Sequence, residues 1–376
     1  MDNGFKRFWG GVMNKYFLTV LLGCWGIGCL ADDEALTLDE LMPMFGWDFE
    51  ATEIRSEKVG DGLFVLFGVG GNIAVSVGED GVMIVDNQFP EMMDKINEAI
   101  AALEGPGGVR PESPRIDYTI NSHWHFDHAQ GNLALGPAGT TIVAQSNARV
   151  DMAAGGVINL VLARYGQEPY PADALPTITF DDGMRFHYNG ERIDLMHFGP
   201  AHTTGDVAVF FRNHNAVHLG DVFNNAGYPF IDADSGGDID GMIAFCQQTL
   251  DQLEPGAVVI PGHGEITGAK ALADYIAMLT TVRDRVKELM DGGKSLEDVL
   301  ASNPTADYTD RYGEESASLG FVNRIYTSLA KKTVIEENVR CRVRPSDRTW
   351  SVRRERWPCG SQLTDLGSKF RCRSCL

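Results

Sequence analysis

Short runs of β-branched and aromatic residues, separated by Gly and Asp, begin at about Leu63 and predict buried strands. The first three are "LFVLFG", "NIAVSV" and "VMIVD", and they follow one another closely enough to form a meander. The next segment, "MMDKINEAIAALE", has apolar residues at helical spacing and stops at "GPGG", so we expect a helix there. The strand "IDYTI" follows it.

A second series repeats this order. It starts with the strand "TTIVAQ", a helix from about Asn147 and an irregular stretch to about Phe180. The strands "MRFHY", "RIDLMHF", "VAVFFR" and "AVHLGD", the helix "IDGMIAFCQQTLDQL" and the strand "AVVIPG" follow, and amphipathic helices continue to about Leu329. We therefore predict a mixed α/β (α+β) fold over residues 55–330, an αββα sandwich of two mixed β-sheets flanked by helices.

The composition is that of a globular protein, and its charge argues against nucleic-acid binding. Apolar residues make up 44% of the chain, enough for a sizeable core. The formal net charge is −20, whereas binding to phosphate backbones requires clustered Lys and Arg. We expect a small-molecule substrate and no nucleic acid. The sequence does not indicate an oligomeric state.

The N-terminal stretch "KYFLTVLLGCWGIGCLADDE" has the positive flank, short apolar run and small-residue exit of an export leader. We assign residues 1–31 to a signal peptide or lipoprotein leader, and Met13 resembles a natural start better than Met1. Cleavage after Ala31 would give a periplasmic or secreted protein. Alternatively, "LLGC" resembles a lipoprotein box, in which Cys24 would be lipidated and anchor the protein to the outer membrane. A single uncleaved anchor is the third reading, although the run is short and broken by Gly.

Residues 331–376 differ from the rest of the chain because they are basic, with 12 Lys plus Arg against 5 Asp plus Glu. Residues 334–376 lack helical or strand periodicity, so we expect disorder and suspect an out-of-frame extension of the gene. The close spacing of Cys372 and Cys375 indicates a zinc ribbon only weakly, and a solvated basic tail is the plain alternative. In the body only Cys246 remains, so we expect no internal disulfide.

The segment "HWHFDH" places three histidines and one aspartate after a predicted strand. His123 and His125 are two apart on an extended loop, so both side chains can turn to the same side and hold one metal ion. Asp127 and His128 fall on the following turn and suit a second ion nearby. The alternative is a solvated polar loop, but histidines seldom cluster in this way by chance.

Three further candidates lie beside glycines at or just after the ends of predicted strands. They are His202 in "GPAHTTGD", Asp221 at the end of "AVHLGD" and His263 in "AVVIPGHG". Singly, each could be an ordinary turn residue. Together they complete a set of seven imidazole and carboxylate groups, which are ligands that zinc prefers.

This ordered set, HxHxDH followed by His, Asp and His, resembles the metallo-β-lactamase superfamily of zinc hydrolases over roughly residues 60–330. The resemblance implies the same αββα sandwich and two Zn²⁺ per chain. One ion would be held by His123, His125 and His202, the second by Asp127, His128 and His263, and Asp221 would bridge them. Asp127 would also orient the nucleophile. Zinc lowers the pKa of its bound water and so supplies hydroxide, which implies hydrolysis of a lactam, lactone, ester or thioester.

The resemblance leaves the substrate open. The best-known lactam-hydrolysing members with a related ligand order have a cysteine at the position of Asp221, and others lack a bridging carboxylate, so Asp221 favours the thioesterase and lactonase branches. Export favours a periplasmic β-lactamase instead, because β-lactams act in the periplasm. A non-hydrolytic di-iron redox member is a further alternative, against which His125 and His128 argue. The last alternative is a metal-bearing binding protein without turnover.

Other residues have less specific patterns. Residues 155–178 are apolar and interrupted by prolines, and we predict that they form a lid or wall over the metals. Asn224, Asn225 and Tyr228 follow Asp221 on a loop and could donate to a developing oxyanion, but simple turn residues are an equally good interpretation. The remaining histidines are expected to be structural or surface residues: His187, His197, His214 and His218.

Overall fold

The computed structural model describes residues 35–111, 115–313 and 315–342, so the predicted leader and most of the predicted tail lie outside the described residues. The chain divides into two units, residues 1–334 and 335–376, and the first unit contains the sheets. None of the helices in the described ranges is long and apolar enough to cross a membrane.

Two large sheets and one separate hairpin contain the described strands. In chain order the strands are β1 (Arg55–Gly60), β2 (Leu63–Phe67), β3 (Ile73–Gly78), β4 (Gly81–Val85), β5 (Tyr118–Ile120), β6 (Thr141–Gln145), β7 (Gly156–Asn159), β8 (Arg164–Gln167), β9 (Ile178–Phe180), β10 (Gly183–Tyr188), β11 (Glu191–Met196), β12 (Ala208–Phe211), β13 (Ala216–His218), β14 (Val258–Ile260) and β15 (Thr267–Gly268). The helices are α1 (Leu38–Phe45), α2 (Met93–Ala101), α3 (Phe126–Ala129), α4 (Asn132–Leu135), α5 (Ser146–Ala154), α6 (Ile239–Leu250), α7 (Ala269–Asp291), α8 (Leu296–Ala301), α9 (Thr309–Tyr312) and α10 (Glu315–Arg342).

The first sheet has seven strands in the order β1-β2-β3-β4-β5-β6-β9. Strands β2 to β4 form the predicted meander, in which they pair antiparallel, and β1 extends it at the edge of the sheet. Strands β5, β6 and β9 continue the sheet in parallel with β4. Val85 at the end of β4 pairs with Ile120 at the end of β5. The residues that follow these two strands therefore meet at the same edge of the sheet.

The second sheet has six strands in the order β10-β11-β12-β13-β14-β15. Its strands pair antiparallel except for β13 and β14, which are parallel, with His218 opposite Ile260. The segments after β13 and β14 consequently leave the sheet side by side.

Three apolar layers give the chain its αββα architecture. Alternate residues of β2 point to opposite faces, so Leu63 and Val65 pack between the two sheets, whereas Phe64 and Leu66 pack against the helices outside the first sheet. The middle layer contains inward residues of both sheets, and a third layer joins the second sheet to α6, α7 and α10. The predicted sandwich of two mixed sheets is confirmed.

Several elements differ from the prediction. Strand β1, "RSEKVG", was not predicted because it is an edge strand whose largely exposed residues show no apolar alternation. The stretch expected to be irregular contains the β7–β8 hairpin. Helix α10 continues to Arg342, across the expected boundary at residue 331, so the first part of the predicted tail is helical. Cys246 is buried on α6 and forms no disulfide with any described residue.

Candidate metal centre

The seven predicted ligands come from segments that leave the two sheets at neighbouring strand ends. His123 and His125 lie on the loop after β5, and Asp127 and His128 lie in the single turn of α3, which begins directly after His125. His202 lies between β11 and β12. Asp221 and His263 follow the parallel strands β13 and β14.

The structure brings these side chains together in two groups that share no residue and could each hold a metal ion, and a third close set, His123, His128 and Asp221, lies across them. In the first group, His123, His125 and His202, the potential ligand atoms all lie within 4.8 Å of one another. In the second group, Asp127, His128 and His263, they are equally close. His263 Nε2 is 3.2 Å from both Asp127 Oδ2 and His128 Nε2.

Asp221 lies between the first group and the second group. Its Oδ1 is 3.1 Å from His128 Nε2 and 3.4 Å from His263 Nε2, whereas its Oδ2 is 3.8 Å from His202 Nε2. One carboxylate oxygen therefore faces each group. This is the position that a bridging ligand would occupy.

Asp86 and Ser122 fix the rings of His123 and His128. The buried Asp86 carboxylate accepts hydrogen bonds from Ser122 N, Ser122 Oγ and His128 Nδ1, each at 2.7 Å. Because the Ser122 hydroxyl donates its hydrogen to Asp86, the His123 Nδ1 located 3.0 Å away must donate to Ser122 Oγ. His123 Nε2 then carries a lone pair, and it is buried without a hydrogen-bond partner among the described residues.

The other two histidines of the first group also have their outer nitrogens occupied. His125 Nε2 lies 3.0 Å from Asp232 Oδ2, and His202 Nδ1 lies 2.9 Å from the carbonyl oxygen of Phe230. Both acceptors require an N–H, which leaves lone pairs on His125 Nδ1 and His202 Nε2. These two atoms are 2.9 Å apart, an arrangement that is repulsive unless a cation or a proton lies between them. The donor set therefore fits a divalent metal ion.

The charge states of the remaining ligands favour a cation as well. Burial would raise the pKa of Asp221, but His263 and His128 outweigh burial and hold this pKa well below its usual range. Burial lowers the pKa of His263, but the carboxylates of Asp221 and Asp127 raise it to about 9. Burial, followed by the neighbouring histidines, lowers the pKa of His123. When no metal is bound, His263 of the second group thus binds a proton more readily than His123 of the first group.

Comparison with known proteins agrees with this arrangement. The family described as the metallo-β-lactamase superfamily matches residues 67–275, more than half of the chain. The chain belongs to the metallo-β-lactamase superfamily. No curated protein matches it in sequence.

Solved structures with this fold include both lactamases and sulfatases. A metallo-β-lactamase from Pontibacter korlensis is 16% identical over 61% of this chain and 99% of its own, with a TM-score of 0.48. A stereoselective inverting sec-alkylsulfatase from Pseudomonas sp. is also 16% identical, over 73% of this chain and 50% of its own, with a TM-score of 0.56. At this identity the sulfatase likeness indicates the fold alone.

Three residues that orient the candidate ligands were not predicted from the sequence: Asp86, Ser122 and Asp232. A signal for Asp86 does exist, since it ends the strand pattern "VMIVD" beside the strand that carries the histidine motif. Asp86 adopts a φ of 64°, in the left-handed region that Asp tolerates better than most residues. This turn is where β4 ends and the carboxylate meets Ser122.

The loop after Asp221 is held by contacts of its own. The Asn225 side chain donates to the carbonyl oxygen of Glu265 at 2.7 Å and accepts from Arg311. Asn224 Oδ1 accepts from the backbone N–H of Ala226 at 2.8 Å. The ring of Tyr228 packs on Phe321 with centroids 5.7 Å apart. These contacts agree with the interpretation of turn residues.

The four other histidines lie outside both groups, as expected. His187 is exposed, and His197 Nδ1 bonds a backbone carbonyl at 2.7 Å. His214 pairs with Glu191. The buried His218 lies 3.0 Å from the carbonyl oxygen of Asn72, which accepts from its Nε2.

The predicted wall segment contains the β7–β8 hairpin, which packs beside the ligand loop. Gln167 Nε2 donates to the carbonyl oxygen of Trp124 at 2.9 Å, and the ring of Tyr165 lies 4.2 Å from that of Phe126. The base of the hairpin is thus in contact with the segment that carries His123 to His128. The tip is apolar, and Leu162 is 55% exposed.

Proposed function

We propose that the protein is a dinuclear zinc-dependent hydrolase that cleaves a carbonyl-derived bond, in a lactam, lactone, ester or thioester, of a small molecule. The observation that supports this proposal is the convergence of seven potential ligand side chains, with Asp221 between the two groups, in which the outer nitrogens of four histidines are already bonded: His123, His125, His128 and His202. His123, His125 and His202 would hold one ion, and Asp127, His128 and His263 the other. When bound, such ions lower the pKa of a water ligand and polarise the scissile carbonyl.

The side on which substrate would enter follows from exposure. The side chains of Asp127, Asp221 and His263 are 12%, 14% and 25% exposed, whereas those of His125 and His202 are 4% or less. Substrate would therefore reach the centre over the second group. The first group lies deeper, against the Phe230 ring.

Asp127 is the side chain best placed to orient an attacking water molecule. It lies on the open side, and burial would raise its pKa, but His128 and His263 outweigh burial and lower it. An ionised Asp127 accepts a hydrogen bond at neutral pH and so aligns the water with the substrate. Its conformation is fixed by α3, and its backbone carbonyl accepts from Gly71 N at 3.0 Å.

The acidic chain supports a small-molecule substrate over a nucleic acid, and the order of ligands with Asp221 supports a thioester or lactone over a β-lactam. A periplasmic β-lactamase and a di-iron redox protein are the alternatives. We also propose export to the periplasm or beyond, with lipidation at Cys24 as a variant, on the strength of the N-terminal pattern alone.

The test is a hydrolysis panel with zinc-loaded protein and lactam, lactone, thioester, phosphodiester and sulfate-ester substrates. We expect turnover of at least one carbonyl substrate, its loss in Asp127→Ala and in His263→Ala, and normal activity in the exposed-histidine control His187→Ala. Activity confined to phosphodiesters or sulfate esters would refute carbonyl chemistry. Two iron atoms with visible absorbance in the purified protein would favour the redox alternative.

A further inference from the structure

One irregular segment, residues 230–238, orients two of the three histidines of the first group. The carbonyl oxygen of Phe230 accepts from His202, and the Asp232 carboxylate accepts from His125. Asp232 also caps a short 3₁₀ turn, Ala233–Ser235, by accepting from Ser235 N at 3.2 Å. The position of this orienting segment therefore determines where two lone pairs of the proposed metal site point.

Asp234, in the middle of that turn, joins the orienting segment to two other elements. Its Oδ2 accepts from Asn159 Nδ2 of the hairpin at 2.9 Å and from Arg324 Nη1 of α10 at 2.7 Å. Its Oδ1 accepts from Lys331 Nζ at 2.8 Å, and the same ammonium donates to the carbonyl oxygen of Ala233. Arg324 is a nearly buried cation, with 6% of its side chain exposed, so Asp234 is its charge partner in a poorly solvated place.

Asp234 remains ionised under ordinary conditions. Burial would raise its pKa, but Lys331 and Arg324 lower it to about 2. The ionised Asp234 carboxylate attracts Arg324 and Lys331 of α10 and still accepts a hydrogen bond from Asn159. The hairpin, the C-terminal helix and the orienting segment thus share a single carboxylate.

We propose that Asp234 is a positioning residue that couples the β7–β8 hairpin and helix α10 to the orientation of His125 and His202. This inference rests on the proposed metal centre and deepens it. Because coupling between two sites is reciprocal, ordering of the hairpin strengthens metal binding at the first group, and metal binding there orders the hairpin by the same factor.

Asp240, at the start of α6, offers a matched control that also pairs with a cation of α10. It too pairs with two cations, Arg283 and Lys332, and therefore also anchors α10. It has no contact with the hairpin or with Asp232 among the described hydrogen bonds and ion pairs. Asp234→Asn and Asp240→Asn remove equal charge from comparable ion pairs, so a general loss of stability would affect both.

Hydrogen exchange of the hairpin amides, residues 156–167, is measured by mass spectrometry in the metal-free and zinc-loaded full chain. Zinc affinity is measured by competition with a chromophoric chelator. We expect Asp234→Asn to exchange faster in the hairpin without metal and to bind one of two zinc ions about tenfold more weakly, as for other residues that orient ligands. Asp240→Asn should match the wild type in both measurements.

Asn159→Ala leaves Arg324 and Lys331 paired with Asp234. It therefore tests the contact with the hairpin even if Asp234→Asn fails to fold. It should also exchange faster in the hairpin. The inference is refuted if neither Asp234→Asn nor Asn159→Ala changes hairpin exchange in the metal-free protein, or if Asp240→Asn changes it equally. Wild-type affinity for both zinc ions in a folded Asp234→Asn variant would also refute the coupling. If the wild type binds no zinc, the proposed function fails, and the metal-free exchange experiment still decides whether Asp234 orders the hairpin.

Discussion

The buried carboxylate of Asp86 offers the sharpest test of how the second group is assembled. It accepts three hydrogen bonds, one to Oδ1 from Ser122 N and two to Oδ2 from Ser122 Oγ and His128 Nδ1. Asp86→Asn keeps the size of the side chain but replaces one acceptor oxygen by an NH₂ donor. An amide cannot accept all three bonds in either orientation.

Each orientation of the new amide has a defined cost. If the amide oxygen faces His128, the NH₂ group meets the N–H of Ser122 and two donors oppose each other. If the NH₂ group faces His128, it donates to Nδ1, and the ring proton moves to Nε2, which lies 3.1 Å from Asp221 Oδ1 in the ligand cluster. A metal at Nε2 would return the ring proton to Nδ1, where it would oppose the NH₂ donor of the variant instead of a carboxylate oxygen.

The expected magnitude follows from the bonds lost. At least one buried charge-assisted bond disappears, so the free energy of unfolding of the metal-free protein should fall by about 1.5–3 kcal/mol. Zinc affinity at the second group should fall by about 10–100-fold. Affinity at the first group should fall less, because Asp86 acts on His123 only through the Ser122 hydroxyl.

The assay is chelator competition for zinc, together with urea unfolding of the metal-free protein. Asp117→Asn is the control, because Asp117 also accepts from a strand backbone, Val82 N at 3.0 Å, but it lies before β5, at the opposite edge of the same sheet. Wild-type affinity for both zinc ions in a folded Asp86→Asn variant would refute the reasoning. Equal loss of affinity in Asp117→Asn would also refute it.

Three further predictions concern pH, substrate access and packing. The pKa of His263 is raised to about 9, so below that pH zinc must displace a proton from His263. As the pH is lowered in steps, the zinc content per chain should therefore fall from two ions to one before it reaches zero. Loss of both ions in one step would contradict this prediction. Replacement of the hairpin tip, residues 160–163, by two glycines should raise KM or alter substrate choice with zinc content unchanged; loss of zinc or of folding would count against a wall at this place. Gly71→Ala should weaken zinc binding in the second group, because the new Cβ would lie 2.2 Å from the His128 ring. Gly320→Ala is the control and should leave zinc affinity unchanged, because its new Cβ would have nothing within 4 Å. Equal zinc affinities in both variants would show that the His128 ring can move aside.

The sequence was sufficient to bring the ligands to the correct edge of the sandwich because each follows a strand pattern. His123 follows β5, and Asp221 and His263 follow a parallel pair whose ends coincide. Once the order of the strands in each sheet is known, a residue at the end of a predicted strand can be placed relative to residues at the ends of the other strands. The family resemblance provided that order, which periodicity alone does not give.

The residues that orient the ligands could not be predicted in the same way. His125 and its acceptor Asp232 are 107 positions apart, and Asp232 lies in a loop whose composition is that of an ordinary turn. The β7–β8 hairpin was not predicted, because its strands are only four residues long. Its tip also includes Val161 at a φ of 71°, a left-handed conformation that β-branched residues rarely adopt. Such contacts depend on tertiary placement, and a single sequence carries no periodic signal for them.

The two groups differ in a way that bears on the order of metal loading. The first group consists of three buried imidazoles whose outer nitrogens are bonded to Ser122, Asp232 and a backbone carbonyl. Burial lowers the pKa of both His123 and His202, so neither of these two rings has a raised pKa against which an ion must displace a proton. The second group contains a carboxylate, lies on the open side and holds protons at neutral pH in the absence of metal. An ion at the first group should therefore bind first, and occupation of the second group, where Asp127 and the substrate side meet, should respond to pH and to the supply of zinc.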